Sequence, residues 1–249
     1  MWEIAATERP RAFVLSHDGR DQSHVDLDDP TYLAFDYVRR MGDVVDAVAP
    51  TGRPLRVVHV GGAAMTLPRY VAATRPTSAQ VVLEPDVEVT ELVRAELPLP
   101  RRSGIKVRPV DGAAGVLALR DGQADLLVLD AYDDGVVPPD LVTAAHFEEV
   151  ARVLAPGGLY LLNLSDRAPF AHTRRVVAGL RAVFSDIALG AEPATLRGRR
   201  DGNLLVLASS ASVPVAALRA RAARSPSPYK VLDAAQVSDS FGGGVALTP

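Results

Sequence analysis

Five strand-length apolar runs, each followed by a stretch with helical spacing, restrict this chain to one fold class. The runs are Leu55–Val60, Gln80–Leu83, Ile105–Val110, Leu126–Leu129 and Leu159–Asn163. Between them the sequence predicts helices over Thr66–Ala73, from Pro85-Asp86 to about Glu96, over Asp111–Leu119, and from Asp140 to about Leu154. Proline and acidic residues suit the first turn of a helix, and aspartate is a good N-cap. Pro156-Gly157-Gly158 ends the last of these helices. Buried strands alternating with helices imply a doubly wound α/β fold, with a largely parallel sheet covered on both faces. Further elements are expected near 169–183, 185–190, 203–208 and 213–222.

The ends of the chain read differently. Ala12–Leu15, the turn His17-Asp18-Gly19 and Gln22–Val25 predict a hairpin, and Asp28-Asp29-Pro30 opens a predicted helix running to Val48. This gives a small N-terminal unit over 1–50 and a central domain over 51–224. A tail over 225–249 starts at Ser225-Pro226-Ser227-Pro228-Tyr229, carries Gly242-Gly243-Gly244 and is expected to be extended or partly mobile.

Composition removes several chemistries. No cysteine is present among the 249 residues, which excludes thiol nucleophiles, disulfides and cysteine-held metals. The net charge of -3 argues against a nucleic-acid binder. The five histidines show no metal-ligand spacing, and His59 reads as a core residue; no metal is expected. Residues 1–20 lack the apolar stretch of a signal peptide, and no run approaches a membrane span, so a soluble, cytoplasmic protein with no membrane partner is expected.

In a doubly wound sheet, ligands bind beyond the carboxyl ends of the strands, at the switch point. Gly61 and Gly62 follow the first run and would let a ligand approach the backbone. Glu84 follows them at about the 20-residue spacing of a ribose-binding acid. It would equally cap the next helix. Asp111, ahead of Gly112, could accept from an adenine amino group, cap its own helix, or do both. Asp130, Asp133 and Asp134 crowd the end of the fourth run. Clustered carboxylates raise one another's pKa unless a cation compensates them. The cluster therefore suits a protonated amine or the removal of a proton; its bland alternative is a solvated acidic loop.

This order of elements resembles the class I S-adenosylmethionine-dependent methyltransferase fold, a Rossmann-like seven-stranded sheet, here with an N-terminal β-hairpin plus helix. Within it, three places resemble the polyamine aminopropyltransferases, spermidine synthase and its relatives. Asp18-Gly19-Arg20-Asp21-Gln22, with Asp28, Asp29 and Tyr32 behind it, resembles the DGxxQ turn and the acidic–tyrosine stretch. Glu84 follows a glycine turn, with Arg69 placed like the arginine after the family's GGGDGG loop. Asp130-Ala131-Tyr132-Asp133 looks like the DSSD motif.

The resemblance implies decarboxylated S-adenosylmethionine or S-adenosylmethionine as co-substrate and a small-molecule amine as acceptor. Gly61, Gly62, Asp111 and Gly112 would line the nucleoside site, with Glu84 on the ribose hydroxyls. Asp130 would be the general base, and Gln22, Tyr32, Tyr132 and Asp133 would line the amine pocket. The family commonly forms homodimers; the apolar face carrying Tyr32, Phe35 and Val38 could serve that purpose or pack on the protein's own sheet.

The chain departs from the family in its loop, Gly61-Gly62-Ala63-Ala64-Met65-Thr66, where Ala64 stands in place of the aspartate expected to hold the donor's amino group. Leu33 follows Tyr32 where a polar residue is usual, and the N-terminal unit is short. Transfer of a methyl group from S-adenosylmethionine, or a non-catalytic relative retaining the fold, are therefore the alternatives to aminopropyl transfer.

Overall fold

The computed structural model describes residues 1–247. An antiparallel sheet of three strands, β1 (Trp2–Ala6), β2 (Ala12–His17) and β3 (Arg20–Asp26), forms the N-terminal unit. The expected hairpin is β2–β3, and β1 adds a strand, with Ile4 opposite Leu15. Helix α1 (Asp36–Ala47) is shorter than the spacing predicts. Asp26 Oδ1 accepts from the amides of Asp28 and Asp29 at 2.9 and 2.8 Å, and the Asp29 carboxylate accepts from the Thr31 amide at 3.1 Å. These side chains hold residues 28–31 in turns and compete with the helix.

The remaining elements follow in order: β4 (Arg56–Val60), α2 (Thr66–Thr74), β5 (Ala79–Leu83), α3 (Val87–Glu96), β6 (Ile105–Arg108), α4 (Gly112–Leu117), β7 (Ala124–Leu129), α5 (Ala144–Val153), β8 (Leu154–Asp166), α6 (Ala171–Val183), β9 (Asp186–Ala191), α7 (Pro193–Leu196), β10 (Gly202–Ser209), α8 (Val215–Ala222), β11 (Lys230–Leu232) and α9 (Ala234–Phe241). Asp86 and Asp111 cap α3 and α4 as expected. Thr143, rather than Asp140, caps α5, because Pro139–Val142 forms a separate 3-10 turn. The Pro-Gly-Gly segment belongs to the start of β8.

The main sheet has eight strands rather than seven, in the order β11-β9-β10-β8-β7-β4-β5-β6. Strands β8, β7, β4, β5 and β6 run parallel, and β10, β9 and β11 add antiparallel pairs. The extra strand comes from the tail, where Val231 pairs with Gly190. The tail then forms α9, closed by a capping box between Asp233 and Gln236, with Val237 and Phe241 buried. An extended tail was expected from its glycines, but those lie beyond this helix.

Strand periodicity divides the core. Val58, Val60, Leu127, Leu129, Tyr160 and Leu162 face one layer of helices, while Val57, Leu126, Val128, Leu159 and Leu161 face α1, α2 and α8 on the other. Leu15 and Val25 of the small sheet pack on Ala64, Val89, Val93 and Leu97, which fastens that sheet over α2 and α3. No helix among the described residues is long and apolar enough to cross a membrane.

A buried arginine secures the end of α1. Arg75, 1% exposed, donates from Nη1 to Pro50 and Arg53 O at 3.0 and 2.9 Å, and from Nη2 to Val45 and Ala49 O at 2.8 and 2.9 Å. Helix C-termini leave carbonyls without partners, and buried orphan acceptors are costly. Arg75→Met preserves bulk but removes all four donors. It is expected to cost about 3–5 kcal/mol and to lower the thermal midpoint by roughly 10 °C. Calorimetry and denaturant unfolding check this, and an unchanged midpoint would contradict it.

Candidate functional site

Chain order in the main sheet reverses at β4, with β5 and β6 on one side and β7 and β8 on the other. At this point the carboxyl ends of the strands open into a cleft of about 880 Å³, roofed on one side by β3 and its turn. This is where side loops diverge and a ligand can enter.

The glycine turn after β4 forms one wall. Gly61 has φ +89°, and a Cβ there would meet the carbonyl oxygen of Asp130 at 2.4 Å. A Cβ on Gly62 would meet Val82 Cγ1 at 2.6 Å. The backbone of this turn is thus pressed against β5 and β7. Glu84, buried at the end of β5, accepts from the Gly62 and Ala63 amides at Oε2, at 2.9 and 3.1 Å. Its Oε1 accepts from the Asp86 amide at 3.1 Å, just ahead of α3. Glu84 therefore both shapes the turn and faces the cleft. Asp111 caps α4 through Ala114 N at 2.9 Å, and its exposed carboxylate remains on the cleft wall. Gly112 lies below it, against Val60 and Leu141.

Asp130 sits across the turn, at the end of β7. Its backbone amide donates to Val60 O at 2.9 Å. Asn163 Nδ2 donates to Asp130 Oδ1 at 2.9 Å, and Asn203 Nδ2 donates to Asn163 Oδ1 at 3.0 Å. Desolvation pushes the Asp130 carboxyl up to about 6, against the opposing pull of the Asn163 hydrogen bond. Such a carboxylate is ionised near neutrality yet basic enough to take a proton. Tyr132 donates to Asn163 O at 2.9 Å, and burial followed by the Asp130 charge raises its hydroxyl pKa. Asp133 lies on the exposed rim, where its backbone pairs with Val136. Asp134, with φ +47°, also lines that rim.

From the small sheet, Gln22 and Ser23 reach the same cleft. Tyr32 does not. Its ring lies under the Arg9 guanidinium at 4.2 Å and beside His24, away from the cleft. The reason is the Asp26–Asp29 turn, which breaks the expected helix and so changes which face Tyr32 occupies. Tyr37, on the first turn of α1, lines the cleft instead. Its hydroxyl pKa is raised by burial first, then by the Asp130 charge. Sequence reasoning missed Tyr37, Asn163 and Asn203. The available signal was Asn163 itself, the one amide in an otherwise apolar buried strand, which requires a partner.

Ala64 is fully buried among Leu15, Val25 and Val89, and its amide donates to Ser23 Oγ at 3.3 Å. The position points under the small sheet, not into the cleft. Arg69 is also buried. It donates to Ala64 O at 3.1 Å, Pro98 O at 3.2 Å and Leu97 O, so it braces the turn against the end of α3. Burial lowers its pKa to about 10. His59 is a core histidine bonded to Gln80 Oε1 at 2.9 Å, with its pKa lowered to about 4 by burial. Ser165 lines the cleft, whereas Asp166 accepts from Thr173 at the start of α6.

No family model matches the chain. A curated polyamine aminopropyltransferase from Chromobacterium violaceum is 27% identical over 143 residues, covering 57% of this chain and 53% of the relative. The match thus spans about half the length of that relative. The crystal structure of a probable spermidine synthase from Corynebacterium glutamicum superposes with a TM-score of 0.91 at 29% identity, covering 98% of this chain and 91% of that one. The chain is spermidine synthase-like. Human methyltransferase-like protein 13, solved in complex with SAH, has a TM-score of 0.61 at 22% identity over 78% of this chain and 94% of its own, which places the fold in the methyltransferase type. With that fold goes the reversal of strand order around β4 on which the cleft depends.

Proposed function

We propose that this spermidine synthase-like cleft transfers an aminopropyl group from decarboxylated S-adenosylmethionine to a primary amine, with Asp130 as general base. The observation that carries this reading is Asp130 itself, a desolvated carboxylate held by the Asn163–Asn203 chain directly across the glycine turn from Glu84. A primary ammonium is not a nucleophile until it loses a proton. A carboxylate beside it can both bind the cation and accept that proton. The freed nitrogen pair then forms the bond to the carbon next to the sulfonium. The carbon–sulfur pair leaves with sulfur as a neutral thioether. Since the sulfonium is already a good leaving group, the protein supplies position and base.

Glu84 has one lone pair on Oε1 and its outward face left for ribose hydroxyls, and Asp111 retains one carboxylate oxygen for an adenine amino group. Tyr37 and Gln22 close the amine side of the cleft, with Asp133 at its rim. The direct test is incubation with decarboxylated S-adenosylmethionine and a panel of amines. Release of methylthioadenosine is the expected result, and no release with any amine would sink the reading. Glu84→Gln should weaken methylthioadenosine binding about 10- to 100-fold, because the amide offers a weaker acceptor and disturbs the turn it holds. Calorimetry measures this.

Ala64 supports a second reading. Its buried position offers no counter-charge for the ammonium of a decarboxylated donor, whereas S-adenosylmethionine carries its own carboxylate beside that ammonium, so methyl transfer at the same nucleoside site is the second reading. Comparing the affinity of the two donors separates the readings: tighter binding of the carboxylated donor favours methyl transfer.

A further inference from the structure

A second cavity, of about 590 Å³, adjoins the first, and the two share Tyr37 and Asn203 in their walls. Of its charged lining residues only Arg40 is buried; Asp21, Asp36, Arg200 and Asp201 are exposed and Glu192 is half-buried. Arg40, on α1, is 4% exposed and lines this cavity. Its Nη2 donates to Ser227 Oγ at 3.3 Å and its Nε has no partner. No carboxylate among the described residues lies within ion-pair distance of it. Asp36 and Glu192 attract it from beyond that distance, and neither bonds it. Asp36 holds Arg39 at 2.9 Å, Glu192 holds Arg200, and Asp21 and Asp201 are exposed at the rim. Rim charges are screened by water, whereas a buried one is not. Buried cations are ordinarily paired.

Arg40 stands one helical turn after Tyr37, so the two share a face of α1. Because Tyr37 and Asn203 wall both cavities, a molecule whose nitrogen faces Asp130 and which displaces or skirts Tyr37 would reach Arg40. We propose that the acceptor is an amine that also carries a carboxylate, with its anionic end on Arg40 and its nitrogen at Asp130. This rests on the transfer reading above and adds the class of acceptor. The bond changes are the same: the ammonium proton goes to Asp130, nitrogen bonds to carbon, and the sulfonium pair leaves with sulfur. A diamine in this position would bring its second ammonium against an unpaired guanidinium. The purely structural role for Arg40 is to tie residues 227–229 to α1, since it also lies over the Tyr229 ring at 5.6 Å. That role would affect stability and not the choice of acceptor.

The test uses the full chain saturated with methylthioadenosine and titrated calorimetrically with ω-amino carboxylates and with diamines of matched length. At least one amino carboxylate is expected to bind about tenfold or more tightly than its matched diamine. Arg40→Gln should abolish that preference, and Arg40→Lys, which keeps a cation, should retain part of it. A preference for diamines in the unaltered protein, or a preference unchanged in Arg40→Gln, overturns the proposal. So does absence of binding by every amino carboxylate while methylthioadenosine still binds. Failure of methylthioadenosine itself to bind would instead remove the transfer reading beneath it. If Arg40→Gln does not fold, the selectivity of the unaltered protein and of Arg40→Lys decides the matter.

Discussion

Asp130→Asn is expected to make the protein more stable at pH 8 while lowering turnover by about 10²- to 10⁴-fold. The two effects share one cause. Burial raises the Asp130 carboxyl from 3.8 to about 6. The folded state therefore holds this proton more tightly than the unfolded chain does. The carboxylate costs nothing below about pH 4; its cost grows between roughly pH 4 and 6 and is complete above that. A shift of this size corresponds to about 3 kcal/mol at pH 8. Asparagine carries no charge to desolvate, and its carbonyl can still accept from Asn163 Nδ2. Denaturant unfolding at pH 4 and pH 8 should show the gain only at the higher pH. An equal change at both pH values would remove desolvation as its cause. In the unaltered protein, kcat should fall on the acid side of about pH 6, and the residual activity of the variant should lack that limb. A variant with near-normal turnover would mean that Asp130 is not the base.

Gly61→Ala should be the most damaging single-atom addition in the cleft. Gly61 adopts φ +89°, where an L side chain costs about 1–2 kcal/mol. The added Cβ would also sit 2.4 Å from the Asp130 carbonyl oxygen and 3.0 Å from Ala131 Cα, both backbone atoms that cannot rotate away. Relieving this overlap means parting β4 from β7 at the point where Asp130 N meets Val60 O. The combined cost is about 3 kcal/mol, which for a chain of this size lowers the thermal midpoint by roughly 6–12 °C. Because the shift moves Asp130 itself, turnover of the folded fraction should fall about 100-fold. Thermal unfolding together with activity at a temperature where the variant is folded checks both parts. Gly19 serves as a contrast. It also has positive φ but no neighbour within 4 Å of its Cβ position, so Gly19→Ala should cost only the backbone strain.

The alternation of Leu55–Val60, Gln80–Leu83, Leu126–Leu129 and Leu159–Asn163 with helical stretches was enough to place the parallel sheet, and from it the ends at which Glu84, Asp111 and Asp130 stand. Local capping was legible too, since Asp86 and Asp111 bond amides three residues away, within the reach of a sequence window. The start of α1 was not. Helical spacing from Tyr32 to Val48 is real in the sequence, yet Asp26, outside that window, takes the amides that the first turn would have organised. That turn removes Tyr32 from the cleft and leaves Tyr37 to face Asp130. Strand β11 was invisible for a related reason. Its three residues carry no pattern of their own and become a strand only because β9 presents an open edge to them.

Chain order, then, determined the fold class and most of the acidic residues of the site, because those follow from burial periods and strand ends that neighbouring residues encode. The tertiary structure alone decided the rest. It buried Ala64 beneath Leu15 and Val25, so that position lies under the small sheet and not in the cleft. It raised the pKa of Asp130 by removing water, and it brought Asn163 and Asn203, from strands distant in sequence, to hold the carboxylate against that shift. It also left Arg40 charged and unpaired behind Tyr37. Desolvation and partner choice depend on which segments meet in space, and no local stretch of sequence specifies that.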